Sequence, residues 1–183
     1  SSSLAALHLA CQSIASGDCE QALVAGINLM LAPELHIACS RLRALSPTGR
    51  CKVFDDSADG YVRSEGAGCV LIKPLARALE DGDRVLGVIK SCAINHDGKS
   101  NGLTAPNGRA QVQLIRKALK RANLEASRIG YIETHGTGTR LGDPIEVHAL
   151  GDALQRKKRG AAAQSPLLLG SVKSNIGHLE AAA

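Results

Sequence analysis

Apolar residues recur at helical spacing in the opening segment, where Leu4, Leu7, His8, Cys11 and Ile14 share a face and Gly17 supplies a stop. The run Ser1, Ser2 and Ser3 before them suits the free N–H groups of a helix start. Ala22-Leu-Val-Ala-Gly-Ile27, within Gln21 to Asn28, is a short apolar run of buried-strand type. Helix followed by buried strand is α/β grammar. Pro33 fits the first turn of a second helix reaching Leu42, with turns at Ser46–Gly49 and Asp55–Gly60. Val70–Ile72 is strand-like, Pro74–Glu80 reads as a short helix, and Val85–Ile94 as a long strand.

Residues 95–109, rich in Asn, Gly, Asp and Pro, form the longest expected loop and the boundary between two halves, 1–100 and 101–183. Beyond it, Val112, Ile115, Leu119 and Ala122 mark one face of an amphipathic helix, with Arg116, Lys117, Lys120 and Arg121 on its solvated side. Ile129–Glu133 is a predicted strand. Asp143-Pro-Ile-Glu146 fits a helix start, with Asp143 as cap, Pro144 at the first helical position and Glu146 reaching back, and the helix runs toward Leu154. Leu167–Leu169 is the last predicted strand.

Composition changes this picture in three ways. With 44% hydrophobic residues in 183, the chain can bury a core, but aromatics are only 2%, so Leu, Ile, Val and Ala must fill it. The same scarcity argues against nucleic-acid binding by base stacking, and the charge of +5, partly from Arg156-Lys-Lys-Arg159 in a predicted exposed loop, identifies no partner. The six cysteines form no C-x-x-C pair and no zinc-ligand spacing, so no metal site is expected. Cys11, Cys69 and Cys92 read as small buried hydrophobes in a reducing compartment. No run has transmembrane length and no signal-peptide blocks open the chain, which makes the cytoplasm the expected location.

Candidate chemistry concentrates on two segments, each following a predicted strand: Thr134-His-Gly-Thr-Gly-Thr139 and Val172-Lys-Ser-Asn-Ile-Gly-His178. Each joins a side chain that titrates near neutral pH to glycines that allow close approach, and strand ends are where α/β proteins place their sites. His8, His36 and His148 lie in predicted helices without such neighbours and read as structural; His96, in Asn95-His-Asp-Gly98, reads as a turn residue. Lys173 is either an exposed residue or an inward one with a carboxylate partner, and Glu146 is either that partner or the reciprocal cap contact.

These segments, with Ser1–His8, Ser46-Pro-Thr-Gly-Arg50, Phe54-Asp-Asp56, Asp59-Gly-Tyr-Val-Arg-Ser-Glu-Gly-Ala-Gly68, Asn101-Gly-Leu-Thr-Ala-Pro-Asn-Gly108 and Leu141-Gly-Asp-Pro-Ile-Glu146, give the chain a resemblance along nearly its whole length. It resembles a β-ketoacyl synthase, specifically the ketosynthase domain of a modular type I polyketide synthase. The resemblance implies a thiolase-like fold, a five-layered α-β-α-β-α sandwich of two related halves, here an internal fragment incomplete at both ends. It also implies a homodimer and decarboxylative Claisen condensation of an acyl chain with a malonyl-type extender.

In that scheme His135 and His178 stabilise the developing enolate, Lys173 and Glu146 pair beside them, Asp143 and Asn175 support the site, and Thr137 and Thr139 touch the pantetheine arm. The domain is expected to bind no cofactor of its own, its substrates riding on the phosphopantetheine of acyl carrier protein. Acyl carrier protein, an acyltransferase and other synthase domains are the implied partners. The family's nucleophilic cysteine is expected immediately before Ser1, so residues 1–183 alone are expected to be inactive and poorly stable. A fatty-acid synthase ketosynthase and a non-condensing gatekeeping domain of the same fold remain alternatives.

Overall fold

The computed structural model describes residues 2–100, 102, 105–155 and 166–183. Helix α1 spans Ser2–Ser16 and ends where Gly17 turns left-handed at φ +83°, its N–H bonding Ile14 O while that of Asp18 bonds Ser13 O. Within the helix, Ser3 Oγ donates to the carbonyl of Ala183 at 2.8 Å; Ser1, where the expected cap would stand, lies outside the described residues. Strand β1, Ala22–Asn28, pairs antiparallel with β2, Gly66–Ile72, in a register that sets Ala22 opposite Ile72 and Asn28 opposite Gly66. The second strand thus starts four residues before the predicted apolar run, because main-chain pairing carries it through Gly66-Ala-Gly-Cys69.

Helix α2 covers Glu34–Arg41 with Pro33 and Leu42 at its ends, and α3 covers Leu75–Glu80 after Pro74, both close to expectation. Val85–Ile94 is not a strand. A strand needs a partner for its main-chain groups, and none of the described strands lies beside this segment. It is tied instead to α4, Gly108–Ala122, where Ser91 Oγ donates to Ala118 O, while Lys117 Nζ and Arg121 Nη1 donate to the carbonyls of Ile94 and Cys92. The helix begins at Gly108, one residue before the predicted loop end, because the Asn107 side chain accepts the N–H groups of Arg109 and Ala110. In the preceding loop His96 Nδ1 accepts the N–H of Gly98 at 2.8 Å, a turn contact.

Strand β3, Tyr131–Glu133, runs parallel to β4, Leu168–Gly170, and between them in the chain comes α5, Gly142–Leu154, which packs on α4; Ala110, Ala149, Leu150 and Ala153 of the two helices are buried. A short helix α6, Lys173–Ile176, follows β4. The basic cluster Arg156–Arg159 and residues Asn101, Leu103 and Thr104 lie outside the described residues. Two expectations about burial fail. The core around α5 is small and alanine-rich, whereas Leu23 and Ile27 of β1 and Val70 and Leu71 of β2 are exposed, so the ribbon is not a buried one. Cys69 is exposed too. Among the described residues no helix is long and apolar enough to cross a membrane.

Candidate active site

The parallel pairing of β3 and β4 sets Glu133 opposite Gly170, so the two histidine segments leave the same edge side by side. They are then laced together. Thr134 donates both its N–H and its Oγ1 to the carbonyl of Gly170, each at 2.8 Å, and Ser171 Oγ donates to the carbonyl of Gly136 at 2.8 Å. Gly136 and Gly138 take positive φ values of +35° and +75°, and a β-carbon on Gly138 would sit 2.7 Å from the backbone nitrogen of Lys52. The chain reversal that presents His135 therefore needs glycine on both counts.

Two carboxylates clamp this loop from α5. Glu146 accepts the N–H of His135 at 2.7 Å and that of Gly136 at 2.8 Å. Buried Asp143 accepts the N–H groups of Phe54, Gly138 and Thr139 at 2.8, 3.2 and 3.4 Å. The cap geometry expected for α5 is thus replaced: neither acid closes the helix start, because the loop offers unsatisfied N–H groups and both side chains turn to it. Nor does Glu146 pair with Lys173. Lys173 is buried, and no carboxylate of the described residues lies within ion-pair distance of it.

His178 is held by its own backbone. Its N–H donates to Val62 O at 2.7 Å and its carbonyl accepts from Ser64 N at 3.0 Å, making a parallel bridge with Arg63. The structure brings the two imidazoles together edge to face, ring centres 5.3 Å apart, with the Tyr61 ring also 5.3 Å from His178 and tilted to it. Glu180 N–H donates to His178 Nδ1 at 2.9 Å, so the neutral ring carries its proton on Nε2. Burial, then the neighbouring His135 and Lys173, push the His178 pKa down to about 4 against the opposing pull of Glu180. His135 is exposed. Desolvation by the atoms packed around it and the Lys173 charge still lower its pKa, against Glu146 and Asp143. Two neutral imidazoles side by side, near a buried ammonium, can supply N–H donors to a developing oxyanion.

The other predicted site residues divide. Thr137 is buried, its Oγ1 3.1 Å from that of Thr139, which in turn accepts the N–H of Gly142. Asn175 is exposed on α6, and its side chain bonds no other described residue. A cavity of about 840 Å³ is lined by Phe54, Thr139, Arg140, Asp143 and His148 among others, but by neither imidazole, so it is not where the two histidines act. Sequence reasoning missed Tyr61, Arg63 and Glu180. The one signal was their place inside the motifs that carry the family resemblance, Asp59–Gly68 and Lys173–Ala182.

Residues 1–78 match the family model described as beta-ketoacyl synthase, N-terminal domain, and residues 86–183 that described as beta-ketoacyl synthase, C-terminal domain. Subunits A and C of the phenolphthiocerol/phthiocerol polyketide synthase of Mycobacterium tuberculosis are each 55% identical over the whole chain, which spans 10% and 8% of their lengths. A ketosynthase domain of oxazolomycin biosynthesis from Streptomyces albus JA3453 superposes at a TM-score of 0.92 with 47% identity, over 99% of this chain and 31% of that one. The ketosynthase from module 6 of the bacillaene synthase of Bacillus subtilis 168 does so at 0.92 with 43% identity, over 99% and 32%. The thiolase-like fold of these domains is therefore the fold of this chain, seen in part.

Proposed function

The chain belongs to the β-ketoacyl synthase family, and from that premise we propose that it is part of an elongating ketosynthase of a modular polyketide synthase, performing decarboxylative Claisen condensation. The observation that carries the reading is the pair of neutral imidazoles 5.3 Å apart, one with its proton fixed on Nε2. A malonyl-type thioester losing carbon dioxide moves an electron pair toward its carbonyl oxygen. Hydrogen bonds from His135 and from His178 Nε2 meet that charge, and the buried Lys173 ammonium adds a favourable field. The enolate carbon then attacks an acyl-cysteine thioester, forming the carbon–carbon bond while the cysteine sulfur leaves as thiolate. Thr137 and Thr139 would border the pantetheine arm, and Asp143 and Glu146 hold the His135 loop.

The nucleophile is assigned to a cysteine immediately before Ser1. Two thiols in the neighbourhood of His178 are already engaged: Cys51 Sγ accepts the N–H of Val62 and Cys39 Sγ accepts the Tyr61 hydroxyl. Residues 1–183 by themselves then condense nothing. Acyl carrier protein delivers the substrates and a homodimer, with acyltransferase and carrier domains alongside, is the working assembly in the cytoplasm. The test replaces His135 and His178 by Ala, one at a time, in the full-length synthase and follows carbon dioxide release from a malonyl thioester. Each variant is expected to lose about 10²–10⁴-fold in rate. Unchanged release in both would remove the roles assigned to the imidazoles.

A further inference from the structure

Glu180 stands in a conformation that a glutamate does not choose, φ +48° in the left-handed region, at the start of a short 3₁₀ turn, Glu180–Ala182. A residue persists there only when its surroundings over-determine it. Two contacts do so. The Glu180 N–H bonds His178 Nδ1 at 2.9 Å, and its carboxylate takes a bidentate fork from Arg63, Nε to Oε1 at 2.7 Å and Nη2 to Oε2 at 2.9 Å. Arg63 is itself fixed: its side chain is only 3% exposed, and its backbone neighbours, Val62 and Ser64, grip the main chain of His178 from both sides. His178 is therefore held twice, by its backbone through the residues on either side of Arg63 and by its ring through the Glu180 N–H that the Arg63 fork locks in place.

We propose that Arg63 and Glu180 are positioning residues for His178, the fork locking the left-handed turn from which the Glu180 N–H fixes the imidazole with its proton on Nε2. The inference rests on the donor role proposed for His178. Stability alone is a poor reason for this pair, since a buried ion pair is often replaceable by apolar packing, and here the Nη1 of Arg63 is shielded with no hydrogen-bond partner among the described residues. What lysine or an apolar residue cannot supply is the planar two-point grip that sets the orientation of the carboxylate and hence of the backbone behind it. The other groups around the ring are His135, Lys173 and Tyr61, and none of them bonds Nδ1.

The experiment uses the full-length synthase with ¹⁵N-labelled histidine and the variants Arg63→Met, Arg63→Lys and Glu180→Gln. Imidazole nitrogen shifts read the His178 tautomer, and malonyl-thioester decarboxylation is measured against pH. Arg63→Met is expected to turn the single Nε2-protonated signal into a tautomer mixture and to lower kcat by about 10–100-fold with KM unchanged. Arg63→Lys recovers part of the rate. Should Arg63→Met not fold, Glu180→Gln, which keeps shape and backbone, carries the same readouts. Variants that keep the tautomer, the pH profile and kcat while losing only thermal stability would reduce the pair to a brace and overturn the proposal. A His178→Ala synthase that still decarboxylates would sink the donor role instead, leaving the tautomer signal to decide the positioning.

Discussion

Because burial, His135 and Lys173 hold His178 at about 4, the native protein keeps this ring uncharged over a range in which an unfolded chain's histidine, near 6.5, takes up a proton. Between those values the unfolded state binds more protons, so stability is full above pH 6.5 and falls as pH drops toward 4. In the intact synthase the His178 ring protons are expected to titrate near 4, and His178→Gln is expected to shrink the loss in urea midpoint between pH 7.5 and pH 5; a ring titrating at 6.5 would contradict this. The Arg63 guanidinium holds the Glu180 carboxyl below its ordinary range, so its contribution also falls away on acidification. At this scale the sequence announced the two histidines through their glycines, and it named Asp143 and Glu146 as acids near them. It did not announce their partners. Glu146 binds backbone N–H groups and Arg63 binds Glu180, and both pairings depend on which loops the sheet edge brings together, which residue type alone does not encode.

Elements show the same division between local and long-range information. Helices α1 to α5 were legible because spacing, Pro, Gly and Asn act within a turn or two of themselves; Val85–Ile94 was misread because a strand is a relation between two segments and β-type composition describes only one of them. The loop between β3 and α5 is the element whose failure would move His135, and it offers two tests. Gly138→Ala adds a β-carbon against the Lys52 backbone at a positive φ and is expected to destabilise the synthase by about 2–4 kcal/mol, whereas Gly130→Ala, with nothing within 4 Å and no positive φ, is expected to be neutral. Asp143→Asn turns an amide NH₂ toward one set of backbone donors and is expected to cost about 1–3 kcal/mol. Denaturant midpoints of the three variants check both, and equal effects of the two glycine changes would mean that the loop is not the constraint it looks to be.

For the whole molecule, the two two-stranded sheets leave apolar surface that nothing among the described residues covers. Leu23, Ile27, Val70 and Leu71 are exposed on the antiparallel ribbon, and Val85, Leu86, Val88 and Ile89 on the unpaired segment, with Leu86 88% exposed. Monomers rarely leave contiguous apolar patches of this kind open to water, and unpaired main-chain groups beside them template association. The solved ketosynthases that this chain matches over nearly its whole length are about three times as long, leaving chain enough to cover such surface. A polypeptide of residues 1–183 produced alone is therefore expected to self-associate in sedimentation velocity and to bind a hydrophobic dye. Replacing Leu23, Leu71 and Leu86 by Lys should raise its monomer fraction. In the full-length synthase the same three substitutions should act in the opposite direction and lower the unfolding midpoint, since a lysine there would be forced into a covered apolar layer. A wild-type 1–183 polypeptide that sediments as a monomer and unfolds reversibly in one sharp transition would show instead that these surfaces need no cover, and that the fold's stability resides in the α4–α5 packing and the laced loops around the two histidines.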